Sequence, residues 1–535
     1  MLLNASHVGT RSDVTDLDSP APVDAGRTGI RTRLGTGNQT GSRLRAAAPR
    51  VGAFLAGALG IALFPAPDLG VLAWVALVPL ILLLRAAPTW REAALRGWLG
   101  GFGFLSATIY WLIPNLIYFF PFVMAFLGLL WIPWGCAVRA VLRPPLTTPR
   151  ALAALAVVPS VWVLVETVRS WKPFGGPWSL LGASQWNHPT ELGLASVGGV
   201  WLVSFAIVAA NTAIVVLLTA PRAAKAAAAA VAVVAVGAGP LWFATHPLAP
   251  ASRTIQVALV QPGVIHNSQP RYAEGLAISK QLIGRPLNLV VWGESSAADY
   301  LQSTPAEQQQ LTALSAQLGA PVLVNGDALL PSGAGEKISY LFDANGLQSQ
   351  YAKTRLVMFG EYIPFRGELG WLANITKAAG NNLVPGPGLK VMNAGGIQIG
   401  PLICFESAFP DMARTEVNHG AQLLVYQSAT STFQDSWGPA QHASLAAVRA
   451  AETGRPTVQA ALTGVSVAFD AQGRKIAWYP TQDIGSVVVA VPLQAAQTPH
   501  DRYGNYVPVL CALITAAACA GGIVVARRRH RVSEA

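Results

Sequence analysis

Charged side chains are scarce in this sequence. Only 12% of its 535 residues are Asp, Glu, Lys or Arg, whereas 52% are hydrophobic, and a soluble protein carries roughly twice that charged fraction. Cysteine is also rare. Cys136, Cys404, Cys511 and Cys519 show no metal-ligand spacing, and three of them lie in apolar segments, which argues against a disulfide framework or a metal site. The composition predicts an integral membrane protein.

The net charge of +11 does not indicate a nucleic-acid partner. The basic residues are scattered over the amino-terminal region, short loops between apolar segments and the carboxyl terminus. This distribution is typical of a protein oriented in a bilayer by the positive-inside rule. We therefore expect the membrane, and no nucleic acid, as the partner of these charges.

Hydrophobic stretches near the length of a membrane-spanning helix occur eight times. They lie at about 48–65, 69–84, 97–113, 118–138, 151–168, 192–219, 226–244 and 506–526. Arginine and lysine concentrate in alternate loops, so the amino terminus is expected in the cytoplasm and residues between the seventh and eighth spans outside it. The predicted location is the cytoplasmic membrane, with a large extracytoplasmic domain.

These spans define the expected domain organisation. It comprises a disordered cytoplasmic tail (1–47), a membrane domain with seven helices (48–245), an extracytoplasmic domain (250–500), a final transmembrane helix (506–526) and a basic cytoplasmic tail (527–535). Tryptophans near the span ends are interpreted as interfacial anchors, among them Trp111, Trp131, Trp134, Trp162 and Trp178. Glu166 is expected to snorkel or to pair with Arg169 rather than to act in catalysis.

Residues 253–495 differ in character from the flanking segments. Short apolar runs rich in β-branched residues alternate with helical patterns such as Pro305–Leu318 and Pro439–Thr453. Strands that alternate with helices predict an α/β layered domain.

Two of the predicted strands end in reactive side chains, and a third segment carries a lysine. Glu294 follows Val290–Trp292, Cys404 follows the run that ends at Ile403, and Lys353 lies between them in sequence. A cysteine attacks a carbonyl carbon as the thiolate, for which a nearby glutamate is a suitable general base. The Lys353 ammonium and the backbone N–H of Phe405 are candidate donors to the resulting oxyanion. His442 is interpreted as a structural residue at a helix start.

The order Glu, Lys, Cys resembles the catalytic triad of the nitrilase superfamily. The segments Trp292-Gly293-Glu294-Ser295, Lys353 to Pro364 and Ile403-Cys404-Phe405-Glu406 resemble more closely its membrane-bound branch, the apolipoprotein N-acyltransferases. The resemblance implies a multi-pass α-helical membrane domain plus a nitrilase-like αββα sandwich. It also implies that Glu361 and Glu406 support the triad. Phe405 departs from the tyrosine that is common in the family.

The activity implied by this resemblance is an acyl transfer. An acyl chain would pass from a membrane phospholipid to Cys404 as a thioester, then to the α-amino group of the S-diacylglyceryl cysteine of an apolipoprotein, without a metal or organic cofactor. Two alternatives stay open at this point. One is a membrane-anchored nitrilase-like amidase, and the other is a non-catalytic assembly factor of a conjugation-type system.

Overall fold

The amino-terminal half of the protein is helical. The computed structural model describes residues 37–248, 250–297, 300–374, 382–494 and 497–534. Before residue 250 the α-helices are α1 (Gly37–Ala58), α2 (Ala73–Ala76), α3 (Val78–Arg85), α4 (Trp90–Thr108), α5 (Ile113–Leu116), α6 (Phe120–Gly128), α7 (Ile132–Leu142), α8 (Thr148–Arg169), α9 (Pro189–Leu192), α10 (Leu194–Thr219) and α11 (Arg222–Thr245).

Five helical segments of the described chain are long and apolar enough to cross a membrane. They are Tyr110–Leu142, Thr148–Arg169, Leu194–Thr219, Arg222–Thr245 and Tyr506–Val525, and two shorter apolar helices cover Ala47–Leu63 and Gly70–Arg85. Helices thus cover all the predicted spans. The span predicted at about 97–113 begins within α4, whose first turns carry charged residues. The number of eight crossings stays a prediction.

Helix α1 begins earlier than the sequence suggests. Residues 37–47 are helical, which departs from the disordered tail expected over residues 1–47; residues 1–36 lie outside the described part of the chain. The segment from Arg43 to Ala48 is rich in arginine, leucine and alanine. These residues are strong helix formers, so the helix extends beyond the apolar stretch.

Several tryptophans that were interpreted as interfacial anchors are core residues instead. Trp131, Trp134 and Trp162 are buried, and their rings pack against one another with Trp131–Trp162 and Trp134–Trp162 centroid distances of 5.8 and 4.9 Å. Glycines of α4 and α7 allow this close packing. The anchor interpretation was wrong for these residues because it considered position along a span and not the face of the helix.

The described residues of the carboxyl-terminal half form twelve strands. They are β1 (Arg253–Gln261), β2 (Leu289–Trp292), β3 (Val322–Leu329), β4 (Gly335–Asp343), β5 (Gly346–Ala352), β6 (Met392–Ala394), β7 (Ile397–Ile403), β8 (Leu423–Ser428), β9 (Thr457–Ala461), β10 (Ser466–Phe469), β11 (Lys475–Tyr479) and β12 (Gly485–Leu493). One sheet has the order β12-β1-β2-β3-β4-β5, and the other has the order β11-β10-β9-β8-β7-β6.

Helices complete this half of the molecule. They are α12 (Ser268–Lys280), α13 (Pro305–Leu318), α14 (Arg366–Leu369), α15 (Pro410–Asn418), α16 (Gly438–Thr453) and α17 (Pro499–Tyr503), and α18 (Tyr506–Glu534) follows. One apolar core lies between the two sheets and a second lies between the first sheet and α12 and α13. The arrangement is four layers, αββα.

The outer layer of the second sheet is continuous with the membrane half. A single apolar core contains residues of β7, β8, α15 and α16 together with residues of α8 and α10. Helix α10 is broken at Gly198 and Gly199, where φ of Gly199 is +70°. Beyond the break the Val200 N–H donates a 2.8 Å hydrogen bond to the Glu452 carboxylate of α16. The carboxyl-terminal half therefore packs directly on the helices.

Candidate active site

Cys404 occupies a strained turn between β7 and a short 3₁₀ helix, Cys404–Ala408. Its φ is +51°, a conformation that costs a non-glycine residue free energy and is kept mainly where the surroundings enforce it. The turn projects the side chain beyond the end of the sheet and leaves it half-buried. The Ala429 N–H, just after β8, donates to the Cys404 sulfur.

Glu294 and Lys353 form a buried ion pair beside this cysteine. Glu294 follows β2, Lys353 follows β5, and Lys353 Nζ lies 3.1 Å from Glu294 Oε1. Lys353 is 1% exposed and Glu294 6% exposed. Burial raises the pKa of the Cys404 thiol, and Cys404 lies close enough to Glu294 for the charge of the carboxylate to raise this pKa further. The structure thus brings together the three residues that the sequence singled out.

Glu361 completes the surroundings of the lysine. Its Oε1 lies 2.6 Å from Lys353 Nζ, and its Oε2 accepts a 2.8 Å hydrogen bond from the Val357 N–H. A buried ammonium between two carboxylates is held in one position, since both of its partners are themselves fixed. Glu361 thus lies against the lysine, and its role in supporting the triad stays a prediction.

Glu406 is fully buried and connects the cysteine turn to the lysine segment. Its carboxylate accepts hydrogen bonds from the Tyr351 hydroxyl at 2.9 Å, from the N–H groups of Thr354 and Arg355 at 2.7 and 2.9 Å, and from the Ile403 N–H at 2.8 Å. These donors flank Lys353 and Cys404 in sequence. Glu406 therefore fixes the lysine segment relative to the nucleophile, and it contacts this segment rather than Glu294.

Lys337 is a fifth charged residue at the site, and no sequence pattern predicted it. Its Nζ donates to Ser295 Oγ and to Asp327 Oδ1, both at 2.7 Å. Its backbone carbonyl accepts a 2.8 Å hydrogen bond from the Lys353 N–H. Lys337 thereby contacts Ser295, which follows Glu294, and the backbone of Lys353. A lysine near the start of β4 carries no motif, so only the strand register reveals this position.

Gln427 connects the two sheets beneath the site. Its Nε2 donates to the Trp292 carbonyl at 2.8 Å, and its Oε1 accepts from Ser339 Oγ at 2.5 Å. Gly293 permits the sheets to approach at the same level, because a Cβ there would lie 1.9 Å from the Leu462 nitrogen. The Glu294 strand end is therefore fixed by the opposite sheet.

Phe405 belongs to the interface with the membrane half. Its ring stacks on that of Trp178 at a centroid distance of 6.3 Å and meets Phe409 edge-on at 4.8 Å. Its backbone N–H lies in the first turn of the 3₁₀ helix, next to the nucleophile. Trp178 also lies 5.0 Å from Trp111. An aromatic cluster thus packs directly against the Cys404 turn.

His442 supports the backbone of the turn and does not pair with the sulfur. Its Nε2 lies 3.1 Å from the Cys404 carbonyl oxygen and 3.1 Å from Ser407 Oγ. Burial lowers the pKa of His442, so the ring is neutral at physiological pH. This contact with the carbonyl agrees with the structural role expected for His442.

The Trp178 loop is held by charged residues of α8. The Arg169 guanidinium donates to the carbonyls of Gly176 and Trp178. Glu166 Oε1 accepts a 2.7 Å hydrogen bond from the Leu181 N–H. The expected pairing of Glu166 with Arg169 was wrong, because each side chain satisfies the backbone of this loop instead.

The charge distribution keeps the carboxylate ionised and the thiol protonated. Burial disfavours the Glu294 anion, but the ammonium groups of Lys353 and Lys337 outweigh it and lower the pKa of Glu294. Burial and the Glu294 charge raise the pKa of Cys404, and Lys353 offsets only part of this effect. Burial likewise opposes the Lys353 charge, yet Glu294 and Glu361 raise the pKa of Lys353. A base is thus ready beside an un-ionised nucleophile.

Family comparisons divide the chain in the same way as the fold. The model described as apolipoprotein N-acyltransferase N-terminal domain matches residues 56–213, and the model described as carbon-nitrogen hydrolase matches residues 256–500. The first range lies in the helical half and the second covers the two sheets. Together with the observed layers, these matches confirm the predicted fold class, a helical membrane domain plus a nitrilase-like domain.

Individual relatives match over most of their length. The apolipoprotein N-acyltransferase of Azotobacter vinelandii is 31% identical, with 79% of this chain and 85% of that protein covered. The apolipoprotein N-acyltransferase of Geobacter metallireducens is 27% identical, with 90% and 95% covered. Among solved structures, Nit3 of Saccharomyces cerevisiae, from branch 10 of the nitrilase superfamily, covers 46% of this chain and 91% of its own at 19% identity and a TM-score of 0.37.

Proposed function

The chain belongs to the apolipoprotein N-acyltransferase family, and from that premise we propose that it transfers an acyl chain from a membrane phospholipid to the amino terminus of an apolipoprotein. Glu294, Lys353 and Cys404 are the proposed catalytic residues. Glu361, Glu406 and Phe405 position them or bind the transition state. The observation that carries the proposal is the buried Glu294–Lys353–Glu361 cluster beside the strained Cys404 turn.

A lipid donor is favoured by what surrounds the nucleophile. Phe405, in the Cys404 turn, stacks on Trp178 of the membrane half. Phe409 follows the same turn and lines a cavity together with residues of the loop after α8. An ester at the membrane surface reaches such a site without leaving the bilayer. A soluble amide substrate would not need contact with the membrane helices to reach Cys404.

The first half-reaction acylates Cys404. Glu294 takes the thiol proton as the sulfur attacks the ester carbonyl carbon, and the Lys353 ammonium and the Phe405 N–H stabilise the oxyanion. The carbon–oxygen bond to the glycerol backbone then breaks. Glu294 returns the proton to the departing alkoxide, which leaves a thioester on Cys404 and a lysophospholipid.

The second half-reaction transfers the acyl group to an amine. The α-amino group of the S-diacylglyceryl cysteine attacks the thioester carbonyl, and Glu294 accepts the proton that the amine loses. The carbon–sulfur bond breaks, an amide forms, and Glu294 returns the proton to the sulfur. No metal or organic cofactor takes part in either step of this proposal.

The proposed location is the cytoplasmic membrane, with residues 250–500 on its extracytoplasmic side. Support comes from the basic residues where α7 ends and α8 begins, Arg139, Arg143 and Arg150, which the positive-inside rule assigns to the cytoplasm. The remaining domain boundaries, with a seven-helix membrane domain over residues 48–245 and a final crossing at 506–526, belong to the same proposal.

The activity is tested with the purified full chain in phospholipid vesicles. Intact-mass analysis should detect one added acyl chain that hydroxylamine removes, and a diacylglyceryl-cysteine peptide should then take up that chain as an amide. Release of free fatty acid at the same rate without the peptide would instead identify a hydrolase. Absence of any adduct from a range of phospholipids, in folded protein, would favour a binding module.

The pH dependence of acylation tests the electrostatics of the site. Because Glu294 must be ionised to act as base and its pKa is lowered, the acylation rate should stay level through neutral pH and fall only at acid pH, below the ordinary range of a glutamate pKa. Lys337→Met removes one of the two cations that lower the pKa of Glu294, so the acid limb should move to higher pH.

A charge-conserving variant is the control for this shift. Lys337→Arg keeps the cation beside Ser295 and Asp327, so its acid limb should match that of the wild type. A general structural defect would lower the rate at every pH and leave the position of the limb unchanged. An unmoved limb in Lys337→Met would contradict the assignment of Glu294 as the base.

A further inference from the structure

A cavity of about 360 Å³ lies where the loop after α8 meets the segments that follow Lys353 and Cys404. Its volume falls in the range of small-molecule sites. The lining includes Trp171 and Lys172 from the membrane half, Arg355, Phe409 and Asp411 from the catalytic half, and Asn505 next to α18. None of these residues has a part in the proposed proton transfers.

Two cations face this cavity and only one anion accompanies them among its described lining residues. Arg355 and Asp411 form a two-bond ion pair, with Arg355 Nη1 2.8 Å from Asp411 Oδ1. The Arg355 guanidinium also lies over the Phe409 ring, 4.4 Å from its centroid. A guanidinium has five N–H donors, more than a single carboxylate accepts. Arg355 is thus held in place with donors left for another acceptor.

Lys172 approaches the same cavity from the membrane half. Its Nζ lies 5.0 Å from the centroid of the Tyr362 ring. Burial and the nearby Arg355 charge lower the pKa of Lys172, an effect that Glu361 partly opposes. The two cations are therefore close enough to repel each other. An anion between them would remove this repulsion and accept hydrogen bonds from both.

From this geometry we infer that the cavity binds the phosphodiester of the phospholipid acyl donor through Lys172 and Arg355. The inference rests on the proposed function and names the part of the donor that is recognised. Phosphate oxygens are strong acceptors for both lysine and arginine. Phospholipid phosphates lie in the headgroup region, where the exposed Trp171 ring is also suited to reside.

The position of the cavity relative to the nucleophile supports this assignment. Tyr362, under the Lys172 ammonium, follows Glu361, which contacts Lys353 at 2.6 Å. On the other side Phe409 packs against Phe405, the residue after Cys404. The phosphate of a glycerolipid is separated from its ester carbonyls by only a few bonds. A phosphate in the cavity would therefore restrict where the ester can lie.

The inference is tested with the rate of acyl-enzyme formation as a function of phospholipid mole fraction in mixed micelles. Lys172→Gln should raise the half-saturating mole fraction of phosphatidylglycerol about tenfold, as expected for loss of a charge-assisted hydrogen bond. Its maximal rate should stay within about twofold of the wild type, because the group recognises the donor and not the transition state. Lys172→Arg should restore the half-saturation.

The matched control is Arg502→Gln, which removes an exposed cation that lies over the Tyr503 ring near the start of α18. If the control raises the half-saturating mole fraction as much as Lys172→Gln does, then general surface charge is responsible and the inference fails. It also fails if Lys172→Gln leaves half-saturation unchanged, or if the glutamine and arginine variants both lose maximal rate.

Inorganic phosphate distinguishes a headgroup site from a site for a free anion. Competition by phosphate in the wild type, lost in Lys172→Gln together with the raised lipid half-saturation, supports a headgroup site. Competition with an unchanged lipid half-saturation would assign the cavity to free anions and overturn the inference. Failure of the wild type to form any thioester would instead overturn the proposed acyl transfer, so the two failures are distinct.

Discussion

Cys404→Ala is expected to abolish the thioester completely. The substitution removes the sulfur that is proposed to form the acyl-enzyme bond, while the φ of +51° at this position is no harder for alanine than for cysteine. The turn should therefore persist, because Glu406 and His442 hold its backbone. Intact-mass analysis after incubation with phospholipid should detect no adduct.

Cys404→Ser is the informative companion to this variant. A serine hydroxyl has a higher pKa than a thiol and is a weaker nucleophile without a stronger base, so any ester adduct should form far more slowly and resist hydroxylamine. Wild-type turnover in either variant would refute Cys404 as the nucleophile. Thermal unfolding in detergent provides the control, since both variants should unfold near the wild-type temperature.

Glu294→Gln should reduce the acylation rate by roughly 10²- to 10⁴-fold, the usual contribution of a general base. The amide oxygen can still accept from Lys353, so the buried lysine keeps a neighbour and Glu361 keeps its charge. What is lost is the acceptor for the thiol proton, and that proton is held firmly because burial raises the pKa of Cys404. Single-turnover measurements of thioester formation give the rate.

Glu361→Gln is the matched control for the loss of a carboxylate beside Lys353. It contacts the same ammonium from the other side, at 2.6 Å, but its second oxygen accepts from the Val357 N–H. Its rate should fall less than that of Glu294→Gln, and the acid limb of its pH profile should remain. Equal losses in the two variants, with no acid limb in either, would mean that neither carboxylate is the specific base.

The strands that deliver Glu294 and Cys404 were predictable because they are buried on both faces. Leu289–Trp292 is apolar throughout and Ile397–Ile403 is apolar except for Gln398, and this pattern is typical of strands in the interior of a layered fold.

The strand that delivers Lys353 was not predicted. Gly346–Ala352 lies at the edge of its sheet, and most of its side chains are polar and exposed or half-buried. An edge strand needs no apolar face to be stable when a neighbour pairs with it along its length. Periodicity therefore gave no signal, and Lys353 was identified only through its motif.

The remaining site groups were missed because their function depends on pairing across the fold. Ala429 contributes a backbone N–H, which any residue would supply, and Lys337 and Gln427 reach the site from strands that are remote in sequence. The burial of Trp131, Trp134 and Trp162 likewise depends on which faces of neighbouring helices meet. Such relations follow from register and packing, not from residue type.

The break in α10 has a consequence for how the two halves of this protein are inherited. Beyond Gly199 the Val200 N–H donates a hydrogen bond to Glu452 of α16. A single apolar core also continues from α8 and α10 into α15 and α16. If the chain were cut near residue 250, the separated carboxyl-terminal half would expose one face of its apolar core to solvent and would not be a free enzyme. For the same reason, exchanging halves between relatives of about 30% identity would place mismatched side chains within one apolar core. Substitutions on the two sides of this core must therefore accumulate together.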